Sequence, residues 1–351
     1  MAKDDQSGAR MNDAAPTPAQ QPDAAATNSA LPPQEVQDVA RSNINFKLRQ
    51  LALLTALADT GTLRGAAERI HVSQPGATRL LQELEETVGE PLFIRNKGKM
   101  QVTPAGEMMI SHAISLQNRM LNAYLDTKRA ATGNAGVLRL GIFGSLDPDF
   151  LSRSIEMLQK RLPKLQVSLS EAPQEFLPGA VRRGELDAAV GRLITSEVES
   201  GLKRHVLYRE RFSVVCSVNN ELARGTGAPS LDLLMDKRWV LPARSSFLRQ
   251  KLDAHFAETC GRAPGVAIES SLSMLSCLSL LKETFDVCVL ASGVATFLAQ
   301  SGLVTVLVDS IGDIESAVAL MTDADAPSRP STQVLLDVMM QNVPQRPPLS
   351  R

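Results

Sequence analysis

A chain of 351 residues with 44% hydrophobic and 21% charged side chains has the composition of a globular protein, with room for two or three compact units. Its net charge of −1 excludes a polycation, so nucleic-acid binding would have to come from a locally basic surface. No apolar run nears the ~20 residues of a membrane span. No basic start leads into the apolar segment of a secretory signal. The four cysteines show no CxxC pairing, so the expected setting is the cytoplasm, without membrane contact.

Residues 1–43 are rich in Ala, Pro, Gln, Asp and Ser and hold too few large apolar side chains to offset the entropy of ordering; a disordered tail is expected there. From Phe46 to Asp59 the leucines Leu48, Leu51, Leu54 and Leu57 recur along one side of a helix. Two shorter helical patterns follow around a tight break. The first carries Ala66, Ala67 and Ile70, small enough for a close helix crossing. The second opens with Ser73-Gln74-Pro75, where Ser73 is suited to an N-cap and Pro75 to the first turn. Ala77, Leu80, Leu81, Leu84 and Val88 then form a buried stripe. Gln74, Thr78, Arg79 and Gln82 fall opposite it and supply an amide, a hydroxyl and a guanidinium suited to base edges in a major groove. This pattern predicts a helix-turn-helix. Pro91–Val102 reads as a two-stranded wing, its tip Asn96-Lys97-Gly98-Lys99 placing two lysines beside Arg95 for phosphate contact.

Leu48-Arg49-Gln50-Leu51, Gly61-Thr62-Leu63, Ala66-Ala67, Val72-Ser73-Gln74-Pro75, Leu84-Glu85, Pro91-Leu92-Phe93 with Arg95, and Thr103-Pro104-Ala105-Gly106 together resemble the DNA-binding domain of the LysR-type transcriptional regulators. Gly76 stands where that family usually has Ala, and Thr78 where it usually has Ser. The DNA contacts expected from the helix-turn-helix and this resemblance are Arg64, Ser73, Gln74, Pro75, Thr78, Arg79, Arg95, Lys97 and Lys99.

Thr103-Pro104 starts a long helix with Thr as cap, Pro at the first position and Glu107 in the first turn. Met109, Ala113, Leu116 and Met120 make a short heptad stripe that asks for a partner. The resemblance implies that this linker helix pairs with its copy in a second chain. Residues 130–136 read as a glycine-containing joint.

Beyond Val137 strands alternate with helices, at 137–143, 166–170, 186–190, 211–218, 239–241, 266–269, 287–290 and 304–308, which predicts parallel sheets with covered faces. Gly136-Val137-Leu138-Arg139-Leu140-Gly141 and Gly184-Glu185-Leu186-Asp187-Ala188-Ala189 are similar to the effector domain of the same family. That likeness implies a periplasmic-binding-protein-like α/β domain of two lobes joined by two crossover strands. The whole is then a winged helix-turn-helix domain (44–103), a linker helix and hinge (104–135) and an effector domain (136–326). Lobe I would comprise 136–207 and 303–326, lobe II 208–302, with a C-terminal helix and tail at 327–351.

Ligands of open α/β sheets sit beyond the carboxyl ends of strands, against helix N-termini. Residues so placed are Ser145, Pro173, Gln174, Ser245, Ser246, Arg249 and Ser271, a set suited to a small carboxylate, an aromatic acid or a sugar-related metabolite. Asp147 would oppose an anion. The histidines His71, His112, His205 and His255 are scattered without catalytic or metal-ligand spacing, so neither an enzyme nor a metal or cofactor is expected. The expected function is sequence-specific transcriptional regulation under a small-molecule effector. The resemblance implies a near-palindromic double-stranded DNA site, a homodimer or homotetramer, and RNA polymerase as a partner. The alternative is a thiol-based redox regulator of the same fold, for which Cys260, beside Gly261 and Arg262, is the candidate thiol.

Overall fold

The computed structural model describes residues 45–96, 98–131, 136–193, 201–225, 227–270, 274–284, 287–326 and 329–344; the expected disordered tail and most of the glycine joint lie outside them. The winged unit packs α1 (Leu48–Thr60), α2 (Leu63–Arg69) and α3 (Gln74–Val88) against the hairpin β1 (Phe93–Asn96) and β2 (Lys99–Val102). Its core is Leu51, Leu53, Leu54 and Leu57 of α1 with Ala66, Ala67, Ala77, Leu81 and Leu84, whereas Leu48 at the helix start is exposed. The turn between α2 and α3 places His71 at φ 56, a left-handed conformation uncommon for a residue with a side chain. Glu85 anchors the wing, its Oε1 accepting from the amides of Leu92 (2.7 Å) and Phe93 (3.1 Å).

The linker helix α4 (Pro104–Ala131) has two working sides. Met109 and Ala113 pack into the winged core, and Ala113 is fully buried there. Ala113 is thus taken up by its own chain and does not belong to a free pairing face; Leu116 and Met120 of the same stripe stay about half exposed, at 49% and 53%. A polar row on the far side of the helix holds lobe I. Ser115 Oγ donates to the carbonyl of Arg182 (3.2 Å), Asn118 Nδ2 to that of Arg183 (2.9 Å) and Asn122 Nδ2 to that of Gly184 (3.0 Å). These carbonyls sit at and just beyond the end of α6 (Leu177–Arg182), where the helix's own amides no longer reach. Arg119 pairs with Asp323, and Arg329 bridges Asp126 and Asp187, both at 3.1 Å. A double Asn118→Ala, Asn122→Ala variant is expected to lose about 2 kcal/mol at most, at about 1 kcal/mol per hydrogen bond. Hydrogen exchange should then rise along the second half of α4 while lobe II stays protected; unchanged exchange would show that the row does not hold the helix.

Lobe I is built on β3 (Val137–Ile142), β4 (Gln166–Glu171) and β5 (Ala188–Arg192), mutually parallel about β3. Helices α5 (Pro148–Arg161) and α6 cover it, with α11 (Pro330–Gln341) packing Leu335 and Met339 into the same core. Lobe II has β7 (Arg238–Pro242) between β8 (Gly265–Ser270) and β9 (Val287–Ala291), again parallel, with α7 (Leu231–Met235), α8 (Phe247–Cys260), α9 (Met274–Thr284) and α10 (Ser292–Gln300). Trp239 is fully buried there, its indole N–H donating to Leu234 O at 2.8 Å.

One strand runs through both lobes. β6 (Leu202–Ser217) pairs over Leu202–Arg211 with β11 (Glu315–Asp323) and over Phe212–Cys216 with β9. The strand β10 (Val304–Val308) pairs antiparallel with Val214–Ser217 of β6, and Val304, Leu307, Ile311 and Ile314 belong to the lobe II core. The return to lobe I therefore follows Ile314, not Leu303 as expected from sequence. β11, absent from the expected strands, then inserts antiparallel between β5 and β6.

Candidate DNA interface and effector cleft

The polar side of α3 is set by its start. Ser73 Oγ accepts from the Gly76 amide (3.2 Å), so this hydroxyl caps the helix within its own chain. Ala77, Leu81 and Leu84 are buried, which turns Gln74, Thr78, Arg79 and Gln82 outward. Thr78 Oγ1 donates to Gln74 O at 3.0 Å. Arg79 is 82% exposed and Nε donates to Glu83 Oε1 at 2.9 Å. Glu83 also receives Lys47 Nζ, and these two cations hold its carboxyl below the usual carboxylate range. Arg64 is exposed on α2 and pairs with Glu68. Arg95 and Lys99 are exposed on the wing strands; Lys97 lies outside the described residues. Pro75 is exposed in the first turn. Exposed amide, hydroxyl-bearing and guanidinium groups on one helix, flanked by wing cations, can divide the work between base edges and phosphates.

In lobe I the carboxyl ends of β3, β4 and β5 converge on Arg192. Its Nη2 donates to Ser145 Oγ at 2.9 Å, its Nε pairs with Glu210, and its guanidinium lies over the Phe143 ring at 4.5 Å. Gln174 grips the main chain of the same residue, donating to Arg192 O (2.9 Å) and accepting from Arg192 N–H (2.8 Å). Pro173 stands immediately before Gln174, as N-cap of its short 3-10 turn. Glu210 is 7% exposed on the shared strand β6; burial pushes its carboxyl up, against the pull of Arg192. Asp147 caps α5, accepting from the amides of Asp149 and Phe150, so its charge serves the helix.

In lobe II, Ser246 caps α8, and Ser245 is exposed beside it. Arg249, expected to face a ligand, is instead buried and paired. It is 3% exposed, Nε donates to Asp253 (2.8 Å) and Nη1 to Pro242 O (3.0 Å), with Glu269 at 3.6 Å. This arginine braces the loop after β7 and is spent on it. Ser271 lies outside the described residues. Ser145 and Gln174, both expected from position, touch Arg192, whereas Arg192 and its partner Glu210 were not among the expected residues. Position at the end of the buried strand Ala188–Arg192 was the signal available for the arginine.

The arrangement matches known families along most of the chain. The LysR substrate binding domain family matches residues 131–344, and the bacterial regulatory helix-turn-helix family of the lysR type matches residues 48–107. The chain belongs to the LysR family. It is a LysR-type transcriptional regulator with a DNA-binding helix-turn-helix and an effector-binding domain. Its relatives include the transcriptional regulator GbpR of Azospirillum brasilense, 29% identical over 75% of this chain and 76% of GbpR. A probable cat1 operon transcriptional activator of Acinetobacter lwoffii is also 29% identical, over 69% of this chain and 80% of its own. Among solved structures, full-length CbnR complexed with its target DNA superposes with a TM-score of 0.59 at 19% identity, covering 85% of this chain and all of that one. A full-length OxyR variant from Pseudomonas aeruginosa gives 0.58 at 22%, covering 87% and 99%. At these identities the structures establish the shared fold. No described helix of this regulator is long and apolar enough to cross a membrane.

Proposed function

We propose that this LysR-family regulator reads a near-palindromic double-stranded operator through Gln74, Thr78 and Arg79, with Arg64 and Pro75 bordering them and Arg95, Lys97 and Lys99 on phosphates. The observation that carries this reading is the fully outward polar face of α3 opposite buried Ala77, Leu81 and Leu84. Two copies paired along the linker helix present two such faces, effector domains join pairs into tetramers, and bound RNA polymerase is the downstream partner in the cytoplasm. Its signal is a small carboxylate, aromatic acid or sugar-related metabolite bound between the lobes at Ser145 and Arg192, with Ser245 contributing from lobe II. Because β6 runs through both lobes, closure on such a ligand bends one shared strand and shifts the spacing of the paired DNA-binding units.

Operator binding tests the first half. On a site selected from random DNA, Arg79→Ala is expected to cost about 1–3 kcal/mol, fivefold or more in Kd. Lys99→Ala should weaken all sequences alike and flatten the salt dependence. An Arg79→Ala affinity within twofold of the parent removes Arg79 from the interface. A thermal-shift screen of carboxylates, aromatic acids and sugars tests the second half. A binding member raises Tm, and Ser145→Ala should weaken it about 3- to 10-fold. A screen in which no member raises Tm overturns the effector class.

A further inference from the structure

Where the linker helix meets lobe I, the two enclose a pocket of about 330 Å³, at the lower end of the range for small-molecule sites. It shares no residue with the group around Ser145 and Arg192. Asp187, just before β5, lines it, whereas Arg192 ends that strand, so the pocket lies at the opposite end of the lobe I sheet. Helix α4 contributes Arg119 and Asn122, and α11 contributes Thr332, Gln333 and Leu336. The paired strands β6 and β11 form one wall. Lys203 stands opposite Thr322 there and His205 opposite Leu320, which puts all four side chains on one face. The apolar part of the lining is Val181, Leu186, Leu320 and Leu336, all packed with the lobe I core.

The charges suit a single anionic group. Arg119 pairs with Asp323 and Arg329 with Asp187, so each carboxylate of the lining is already answered by an arginine. The side chains of Lys203 and His205 are exposed and have no hydrogen-bond or ion-pair partner among the described residues. Leaving His205 aside, three cations line the pocket against two carboxylates, and one positive charge is left over. A second unanswered group lies deeper. Thr332 is 9% exposed, and its hydroxyl has no partner among the described residues. A buried hydroxyl without a partner is costly, and a ligand oxygen in this pocket would accept from it.

We propose that this junction binds a small monocarboxylate with an apolar body. The carboxylate pairs with Lys203, the Thr332 hydroxyl donates to a ligand oxygen, and the body lies against Val181, Leu186, Leu320 and Leu336. A dianion would bring a second charge towards Asp187 and Asp323, and a neutral ligand would leave Lys203 unanswered. The occupant touches α4 and lobe I together, so it favours the docked arrangement that Ser115, Asn118 and Asn122 already hold. This site is additional to the effector cleft and does not rest on that reading.

The test titrates benzoate and hexanoate into the full chain by calorimetry, with benzyl alcohol and phthalate as neutral and doubly charged controls. Both monocarboxylates should bind saturably, and both controls should bind about tenfold more weakly or less. The cleft between the lobes is also read as taking carboxylates, so a diazirine-bearing benzoate locates the site. Irradiation should label peptides carrying Lys203, Leu320 or Leu336, and excess benzoate should compete the label away. Lys203→Gln is expected to weaken binding about tenfold and Thr332→Val about 3- to 10-fold, each with loss of the junction label. Benzoate should also slow hydrogen exchange along the second half of α4 in the parent chain. If Thr332→Val fails to fold, the exposed Lys203 variant still decides. Label confined to peptides carrying Ser145 or Arg192, an affinity within twofold of the parent in Lys203→Gln, or no saturable binding of either monocarboxylate overturns the proposal.

Discussion

Gly106→Ala is expected to unseat the linker helix and lower the stability of the winged domain by about 1–3 kcal/mol or more, the cost of forcing an atom into a packed site. Gly106 sits in the first turn of α4, where the helix passes over the start of the wing. A Cβ there would stand 2.1 Å from the Leu92 carbonyl oxygen, 3.0 Å from its carbon and 3.2 Å from Val102 Cγ1. The obstacle is backbone and is held on both sides. Leu92 O accepts from the Thr103 amide at 3.0 Å, and the Leu92 amide donates to Glu85. Relief therefore means moving the helix, and a small tilt at its start grows along a helix of 28 residues. The single tryptophan gives an internal control, because Trp239 lies in lobe II. In denaturant, far-ultraviolet circular dichroism should show an earlier helical transition while the Trp239 fluorescence transition stays in place. Two unchanged transitions would mean that the helix start has slack the packing does not suggest.

The same residue shows how far the sequence could be read. Thr103-Pro104-Ala105-Gly106 was legible as a helix start because capping is local: Thr103 Oγ1 accepts from the Gly106 amide, three residues away. The reason for a glycine was not legible, since it depends on Leu92 across a turn. Helix α3 was readable for the same cause, with period, cap and proline all inside about one helix length. The lobe boundary was misplaced because only long-range pairing assigns β10 to lobe II and β11 to lobe I. Around Arg192, the place of Ser145 after a strand was legible from position alone. The pairing of Arg192 with Glu210, and the absorption of Arg249 by Asp253 and Pro242, are facts about partners that no spacing encodes.

Leu116→Glu is expected to split the assembly and abolish operator binding at physiological salt. A single winged helix-turn-helix touches too little DNA for specific affinity under those conditions, and two-fold pairing of such modules supplies the rest. In this chain the linker helix offers Leu116 and Met120 at 49% and 53% exposure, with Tyr124 at 59% one turn further on. At about 100° per residue these lie roughly opposite Ser115, Asn118 and Asn122, which hold lobe I, so the apolar side is left open by its own chain. A helix with one side committed and a large apolar side open matches a two-fold pairing, where each copy covers the other. A carboxylate at Leu116 would then be buried near its own symmetry mate, unpaired and repelled. Because Leu116 is half exposed in the single chain, the fold itself should survive, with circular dichroism unchanged. Light scattering should report a species of half the parent mass or less, and gel-shift affinity for the selected operator should fall by more than about tenfold. Wild-type mass with normal binding would place the pairing surface elsewhere on the chain.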